Sequence, residues 1–428
     1  MRKLLRWALP CLCFAAICIG CSDDKNEGDG ERQGKPVSEL TPDENKKELE
    51  TIGLKVLAEI NPADHENLLR TLDKFSEFMD CGDISLERNE TKAAKSVAKS
   101  IRRICGKNDL GGMMAFTRAS SDLYRLAQYY GIYTYNEARN EWVRTDSNNN
   151  LEFHFKVNGK AAVVKVTASG KEVAIDNEDD NEQYMVPEKA EGIITLNGDE
   201  LCKVSANSKL NKSSHTADVT ANITASGYSF NVTVNASETK GSCDFKMTKG
   251  NKTIITATAS INGQRMTNPT DNDIDNPENL FKDATAKVDI MGEANITASC
   301  SNIKKMIDES DNIYYSYSED PYDELWSKDE AEIYNKYLKA ELRYNGSDAV
   351  IATFGFQAYE EDYGWDEKNY WDIEPIIIFT NDDSIISFED YFDDEVGFKE
   401  LIDSIEDLGN QYEIYLDYLL DDNDDYYK

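Results

Sequence analysis

The stretch LEFHFKVNGKAAVVKVT, residues 151–167, decides what kind of fold this chain adopts. Apolar and polar side chains alternate on both sides of Asn158-Gly159, as in two strands that each turn one face to a core. Asn-Gly suits a type I′ turn because both turn residues need a positive φ. The stretch therefore predicts an antiparallel hairpin, with strands from Leu151 to Val157 and from Ala161 to Thr167.

The same strand–turn–strand pattern recurs along the middle of the chain. Asn197-Gly198 leads into a strand from Leu201 to Ala206, and long alternating segments follow, the last of them predicted as one strand from Ala284 to Cys300. The segments are rich in Thr, Val, Ala, Asn and Ser, and one face of each is apolar but small. This pattern predicts a large antiparallel sheet over residues 131–305 that is covered on one side only.

Helical signals precede the strands, over residues 41–130. Thr41-Pro42-Asp43-Glu44 is a capping box with proline at the first helical position. Asn61-Pro62 ends that helix and opens the next. The predicted helices carry one-sided apolar stripes, so we expect them to pack on the sheet.

The C-terminal part, residues 306–428, carries most of the charge. The whole chain has a net charge of −35, and this part alone holds 36 acidic and 7 basic residues. We expect a helix from Lys328 to Leu342, a hairpin at Asn345-Gly346 and a helix from Phe398 to Leu420. The predicted fold class is α+β: N-terminal helices on a large antiparallel sheet, then an acidic α+β part. So negative a field repels nucleic acid, which excludes a nucleic-acid partner.

The first twenty-one residues have the features of a secretory signal. A positive start at residues 2–6 precedes a short apolar run, and Gly20 stands directly before Cys21. This arrangement resembles the lipobox of bacterial lipoproteins, which implies cleavage after Gly20 and a diacylglyceryl group on the Cys21 sulfur. An uncleaved transmembrane helix is the alternative, but the apolar run is shorter than the roughly 18 residues that span a bilayer.

The residues after Cys21 extend this resemblance. Ser22-Asp23-Asp24 is similar to the acidic export tag of secreted surface lipoproteins in the Bacteroidetes. The resemblance implies a signal peptide at residues 1–20 and a lipid-anchored protein on the outside of the outer membrane. Residues 21–40 are polar, charged and contain glycine, which predicts a flexible tether. It brings no functional residue other than Cys21.

The remaining cysteines are predicted to be structural. Five of the nine follow Cys21, an odd number, so at least one has no partner within the chain. Cys81 and Cys105 end two predicted helices, and the sequence leaves open whether they pair. Cys202, Cys243 and Cys300 share a strand face with apolar neighbours, which predicts that they lie in the core.

No arrangement of residues typical of an enzyme occurs. The three histidines, His65, His154 and His215, lie on different elements, and we interpret them as surface or hydrogen-bonded polar residues. Acidic pairs are too abundant for any one of them to indicate a glycosidase site. The sequence therefore predicts a protein that is not an enzyme.

A calcium site is the one cofactor hypothesis that the sequence offers. Asp271, Asp273 and Asp275 form the D-x-D-x-D start of an EF-hand-type loop. Asn276 replaces the usual glycine and Lys282 stands where a bidentate glutamate is needed, so an ordinary acidic loop is the alternative.

An aromatic cluster near residue 365 is the candidate recognition patch. Tyr363, Trp365, Tyr370 and Trp371 are mixed with acidic residues, and sugars stack on such rings while carboxylates accept their hydroxyl hydrogen bonds. The alternative is a long hairpin whose aromatic side chains pack on the sheet.

These features together predict a non-catalytic binding or structural role at the cell envelope. The partners expected are the membrane, through the lipid anchor, and a glycan, a lipid or an envelope protein. One alternative is a periplasm-facing lipid carrier, which needs an apolar sheet surface that the helices do not fill. A surface glycan binder that uses the aromatic cluster is the other.

Overall fold

The chain has a mixed α/β fold that is mostly β, with a large and mostly antiparallel sheet. The computed structural model describes residues 40–81, 83–84, 126–147, 149–177, 182–270, 272–273, 276–316, 324–345, 347, 349–361, 370–392 and 398–415. The predicted helix that ends at Cys105 lies outside these residues.

The first helix begins as its capping box predicts. The Glu44 backbone N–H donates to the Thr41 hydroxyl at 3.3 Å, and the Thr41 N–H donates to the Glu44 carboxylate at 2.8 Å. Two donors that the helix leaves unpaired are thereby satisfied. The described helices are α1 (Pro42–Leu57), α2 (Pro62–Cys81), α3 (Ile303–Ser316), α4 (Glu324–Tyr337), α5 (Phe388–Phe392) and α6 (Lys399–Glu413).

The strands follow the alternation in the sequence. Asn158 and Gly159 have φ values of 50° and 78°, which confirms the predicted hairpin turn. The first strand pairs with the third, and the second with the fourth, in parallel. The strands are β1 (Asp83–Ile84), β2 (Gly131–Asn136), β3 (Glu141–Asp146), β4 (Leu151–Val157), β5 (Lys160–Asn177), β6 (Glu182–Leu196), β7 (Asp199–Asn211), β8 (Thr216–Ala225), β9 (Tyr228–Ala236), β10 (Lys240–Lys249), β11 (Lys252–Gly263), β12 (Phe281–Ile290), β13 (Ala294–Cys300), β14 (Leu338–Tyr344), β15 (Ala352–Glu361), β16 (Tyr370–Phe379) and β17 (Ile385–Ser387).

Three predicted elements were wrong. The helix expected from Phe398 to Leu420 ends at Glu413, and residues 414–415 form a turn. The single strand expected from Ala284 to Cys300 is the two strands β12 and β13, because Met291 and Gly292 adopt positive φ values of 54° and 70° and turn the chain back. The helix expected from Lys328 to Leu342 ends at Tyr337. Beyond it the apolar residues recur at every second position, so the chain continues as strand β14.

The described chain divides into two compact units, each assembled from separate stretches. The first unit takes its described residues from 1–60, 211–218 and 232–407, and the second takes them from 61–210, 219–231 and 408–428.

Packed aromatic side chains, separate from the cluster near residue 365, form the core of the second unit. The ring of Phe75 in α2 lies 5.2 Å from Phe153 and 5.5 Å from Phe155, both on β4. The buried Trp142 indole of β3 donates to the Phe78 carbonyl at 3.0 Å. These contacts fix α2 against β3 and β4 within this unit.

Helix α1 belongs to the first unit and contacts the end of β14. The buried Tyr344 hydroxyl donates to the Asn45 side-chain oxygen at 3.1 Å, and Asn45 is itself buried. Lys55 pairs with Glu293, beside the turn between β12 and β13, at 2.8 Å. Helix α1 is thereby attached at the turn end of these strands.

We expect Thr41→Ala to destabilise the first unit by about 1 kcal/mol, because the capping hydroxyl is lost. Urea unfolding measures the change. Thr51→Ala is the matched control, since the Thr51 hydroxyl donates to Lys47 O within the same helix and its loss costs little. Equal losses in the two variants would show that the cap contributes nothing.

Candidate functional site

The proposed calcium loop is only partly described. Asp271 and Asp275 lie outside the described residues. Asp273 is fully buried and accepts hydrogen bonds from the Arg265 guanidinium at 2.6 and 2.8 Å. The backbone N–H and the hydroxyl of Thr270 also donate to it, at 2.9 and 2.6 Å.

These partners occupy the Asp273 carboxylate. Hydrogen bonds from Arg265 and Thr270 hold the pKa of Asp273 well below its usual range. Within the described residues, no group of three or more His, Cys, Asp or Glu side chains is placed to hold a metal ion. The calcium site stays a prediction, and an ion at Asp273 would have to displace Arg265.

The aromatic cluster is described only at its C-terminal edge. Tyr363 and Trp365 lie outside the described residues. Tyr370 and Trp371 open β16, opposite Glu361 and Glu360 of β15 in turn. Trp371 is half-buried. Because Tyr363 and Trp365 are not among the described residues, glycan binding at this cluster stays a prediction.

The histidines contact three different partners. His65 lies 4.8 Å from the Tyr228 ring, and His215 contacts Glu238 at 2.8 Å. His154 contacts Glu152 at 2.9 Å, and Lys165 reaches the same carboxylate at 2.7 Å. Burial opposes ionisation of Glu152, but these two hydrogen bonds outweigh it and lower its pKa. The contacts are those of polar residues that stabilise strands and loops.

The candidate binding site is one face of the sheet, which the sequence predicts to lie in the core. The register of β10–β14 brings the apolar residues of all five strands to one face, in four rows that cross the strands. The first row is Met247, Ile255, Ile290, Ala294 and Tyr344. The second row is Phe245, Ala257, Val288, Ile296 and Leu342. The third row is Cys243, Ala259, Ala286, Ala298 and Ala340. The fourth row is Gly241, Ile261, Ala284, Cys300 and Leu338.

Burial falls from the first row to the third. Every residue of the first row is at most 4% exposed. In the second row Leu342 is buried and the others are half-buried. In the third row Cys243, Ala259 and Ala286 are exposed. The fourth row is half-buried. The described residues therefore bury this face near the turn between β12 and β13 and leave it most exposed at the third row, on β10–β12.

The strand cysteines correct the prediction that all three lie in the core. Cys202 is buried, Cys300 is half-buried and Cys243 is exposed. Burial raises the pKa of both described thiols on this face, that of Cys300 to about 11. Alternation correctly placed Cys243 on an apolar face, but it does not tell whether anything covers that face. Whether Cys81 pairs with Cys105 stays open, because Cys105 lies outside the described residues.

Cys21, the predicted lipid attachment site, also lies outside the described residues. Among the helices that are described, none is both long and apolar enough to cross a membrane. No family model, curated protein or solved structure matches this chain.

We expect Asp273→Asn to destabilise the protein at neutral pH, because the buried Asp273 carboxylate loses its ion pair with the exposed Arg265. The pKa of Asp273 is lower in the folded than in the unfolded protein, where its ordinary value is 3.8. Its contribution is therefore complete above that pH and is lost as the pH falls below it.

Urea unfolding across an acid pH series checks this expectation. The difference in unfolding free energy between wild type and Asp273→Asn should shrink below the ordinary pKa. Asp244→Asn, at an exposed position on β10, is the control and should cost less at neutral pH. A difference in unfolding free energy that stayed constant at acid pH would contradict the role given to Asp273.

Proposed function

We propose that this chain is a lipid-anchored envelope protein that binds the acyl chain of an amphiphile without catalysing a reaction. The apolar face of β10–β14, exposed in its third row on β10, β11 and β12, is the observation that carries this proposal. A structural role alone gives no reason for such a face to be left open by the described residues.

The chemistry of the face favours a hydrocarbon ligand. The second, third and fourth rows contain no charged side chain and no hydroxyl group. Contact with an acyl chain would remove apolar surface from water at about 25 cal/mol per Å². Polar ligands would find few hydrogen-bond partners there, since the two thiols are weak donors.

The size of the face favours a small ligand over a second copy of the chain. With a strand spacing of about 4.8 Å and about 6.7 Å between residues on one face, the three outer rows cover roughly 500 Å². A stable protein–protein interface needs about 800 Å² from each partner. An acyl chain needs much less.

We also propose that the N-terminal helices cover part of the sheet and that Cys21 carries the anchor. The contacts of Phe75 with β4 and of Asn45 with Tyr344 support the first statement, each within its own unit. The lipobox resemblance supports the second. Placement on the outer membrane, facing outward, rests on the same resemblance.

We expect Ala259→Lys to weaken binding of a pyrene-labelled dodecanoic acid by about tenfold or more, because an ammonium group would stand among the bound methylene groups. Thr258→Lys is the matched control. It adds the same charge at the neighbouring exposed position of β11, on the opposite face.

Fluorescence titration of the purified full-length mature chain measures both dissociation constants. Equal weakening by the two variants would point to an effect of charge alone. No saturable binding to wild type would reject the proposed function.

We expect Cys21→Ala to abolish incorporation of radiolabelled palmitate and to release the protein from the membrane fraction. Protease treatment of intact and lysed cells then reports which side of the membrane the protein faces. Membrane retention and labelling that persist in Cys21→Ala would reject the anchor.

A further inference from the structure

We propose that the apolar face measures the length of the bound acyl chain, and that Phe354 marks the end of the measured distance. The inference rests on the proposed function and names the feature of the ligand that the site selects. The chain would lie across strands β10–β14, along the third row, with its methyl end at Phe354.

The third row changes abruptly at β15. Five consecutive strands contribute Cys243, Ala259, Ala286, Ala298 and Ala340, none of which reaches far above the sheet. The next position in the same register is Phe354, opposite Ala340. The five small residues span about 19 Å from first to last, and the benzyl group then rises on the same face.

Larger side chains stand on both sides of the third row and set the direction of the ligand. Phe245, Val288 and Ile296 lie on one side. On the other side Ile261 and Leu338 are the large residues, and the positions between and beside them are small. These side chains are half-buried, whereas three positions of the row between them are exposed. A flexible chain makes the most contacts when it lies along the low row between two higher ones.

Further apolar groups border the face at its fourth row. A Cβ atom at Gly241 would lie 4.0 Å from the Met266 methyl group, so the Met266 side chain ends close to this row. Cys300, next to the β14 end of the fourth row, lies 4.0 Å from the buried Met306. Apolar side chains therefore border the row at these two points, although the Asp283 carboxylate is also near Cys300.

The open end of the third row lies at β10. Asn235 donates to Ser242 on the polar face, so its neighbour Val234 lies on the apolar face. Val234 is 38% exposed, a high value for a valine within a sheet, and Cys243 is exposed as well. The polar head of the amphiphile would therefore remain in solvent at this end.

The test compares the chain-length preference of two variants that act in opposite directions. Phe354→Ala lengthens the low row by one strand, about 4.8 Å, and should shift the preference toward longer chains. Ala298→Leu places a branched side chain in the row and should shift it toward shorter ones. Thr353→Ala, on the other face of β15, is the matched control and should leave the preference unchanged.

Competition against the pyrene-labelled probe gives dissociation constants for octanoic, dodecanoic, hexadecanoic and octadecanoic acids. We expect the ratio of the hexadecanoic to the dodecanoic constant to change by about tenfold or more in each variant, since each buried methylene group is worth about fourfold in affinity. Circular dichroism establishes that each variant is folded.

The outcomes separate this inference from the proposed function. Saturable binding with a length preference that neither variant moves would overturn the measuring role and leave the acyl-binding function in place. Shifts in the same direction would also overturn it. Absence of binding in wild type would reject the proposed function itself.

Discussion

A shared register across β10–β14 is the constraint on which the rest of the first unit depends. The pairs Cys243–Ala259, Ala259–Ala286, Ala286–Ala298 and Ala298–Ala340 join five strands without a break. Side chains alternate with a period of two, so a slip of one residue would move the apolar set of a strand to the polar face. The register of the strands therefore determines which face of the sheet is apolar, independently of any helix that contacts it.

Helix α1 contacts the sheet at the end where the first row is buried. Tyr344 is fully buried and its hydroxyl finds Asn45, while Lys55 and Glu293 pair beside the turn between β12 and β13. A buried hydroxyl without a partner would cost about 1–3 kcal/mol. The polar pair and the buried first row thus hold the helix at one end of the strands, and burial falls away from that end.

Local sequence signals predicted the elements of the fold well. Alternation identified the strands, Asn158-Gly159 identified a hairpin, and Thr41 with Glu44 identified the start of α1. Each of these signals depends only on residues that are neighbours in the sequence, so the sequence alone is enough to predict the element. The turn at Met291-Gly292 was missed because it lacks the Asn-Gly pair, although glycine there supplies the positive φ.

The features of the candidate site could be predicted only in part, because they depend on residues far apart in the chain. The parity of Cys243 with Phe245 and Met247 placed it on an apolar face, but its exposure depends on which other parts of the chain pack above that face. The aspartates suggested a cation site, yet the partner of Asp273 is Arg265, at a distance of 2.6 Å across a loop. The spacing of aspartates in a sequence does not distinguish a carboxylate that binds a metal ion from one that forms an ion pair with an arginine.

The choice of residues in the third row is itself informative about function. Alanine is a poor strand former, whereas valine and isoleucine suit a pleated surface. Nevertheless four adjacent strands carry alanine in this row, and the first row two steps away holds Met247, Ile255 and Ile290. Larger residues in the third row would bury more of one another and favour the strands. Their absence lowers the surface along this row, which leaves room for the acyl chain that we propose as the ligand.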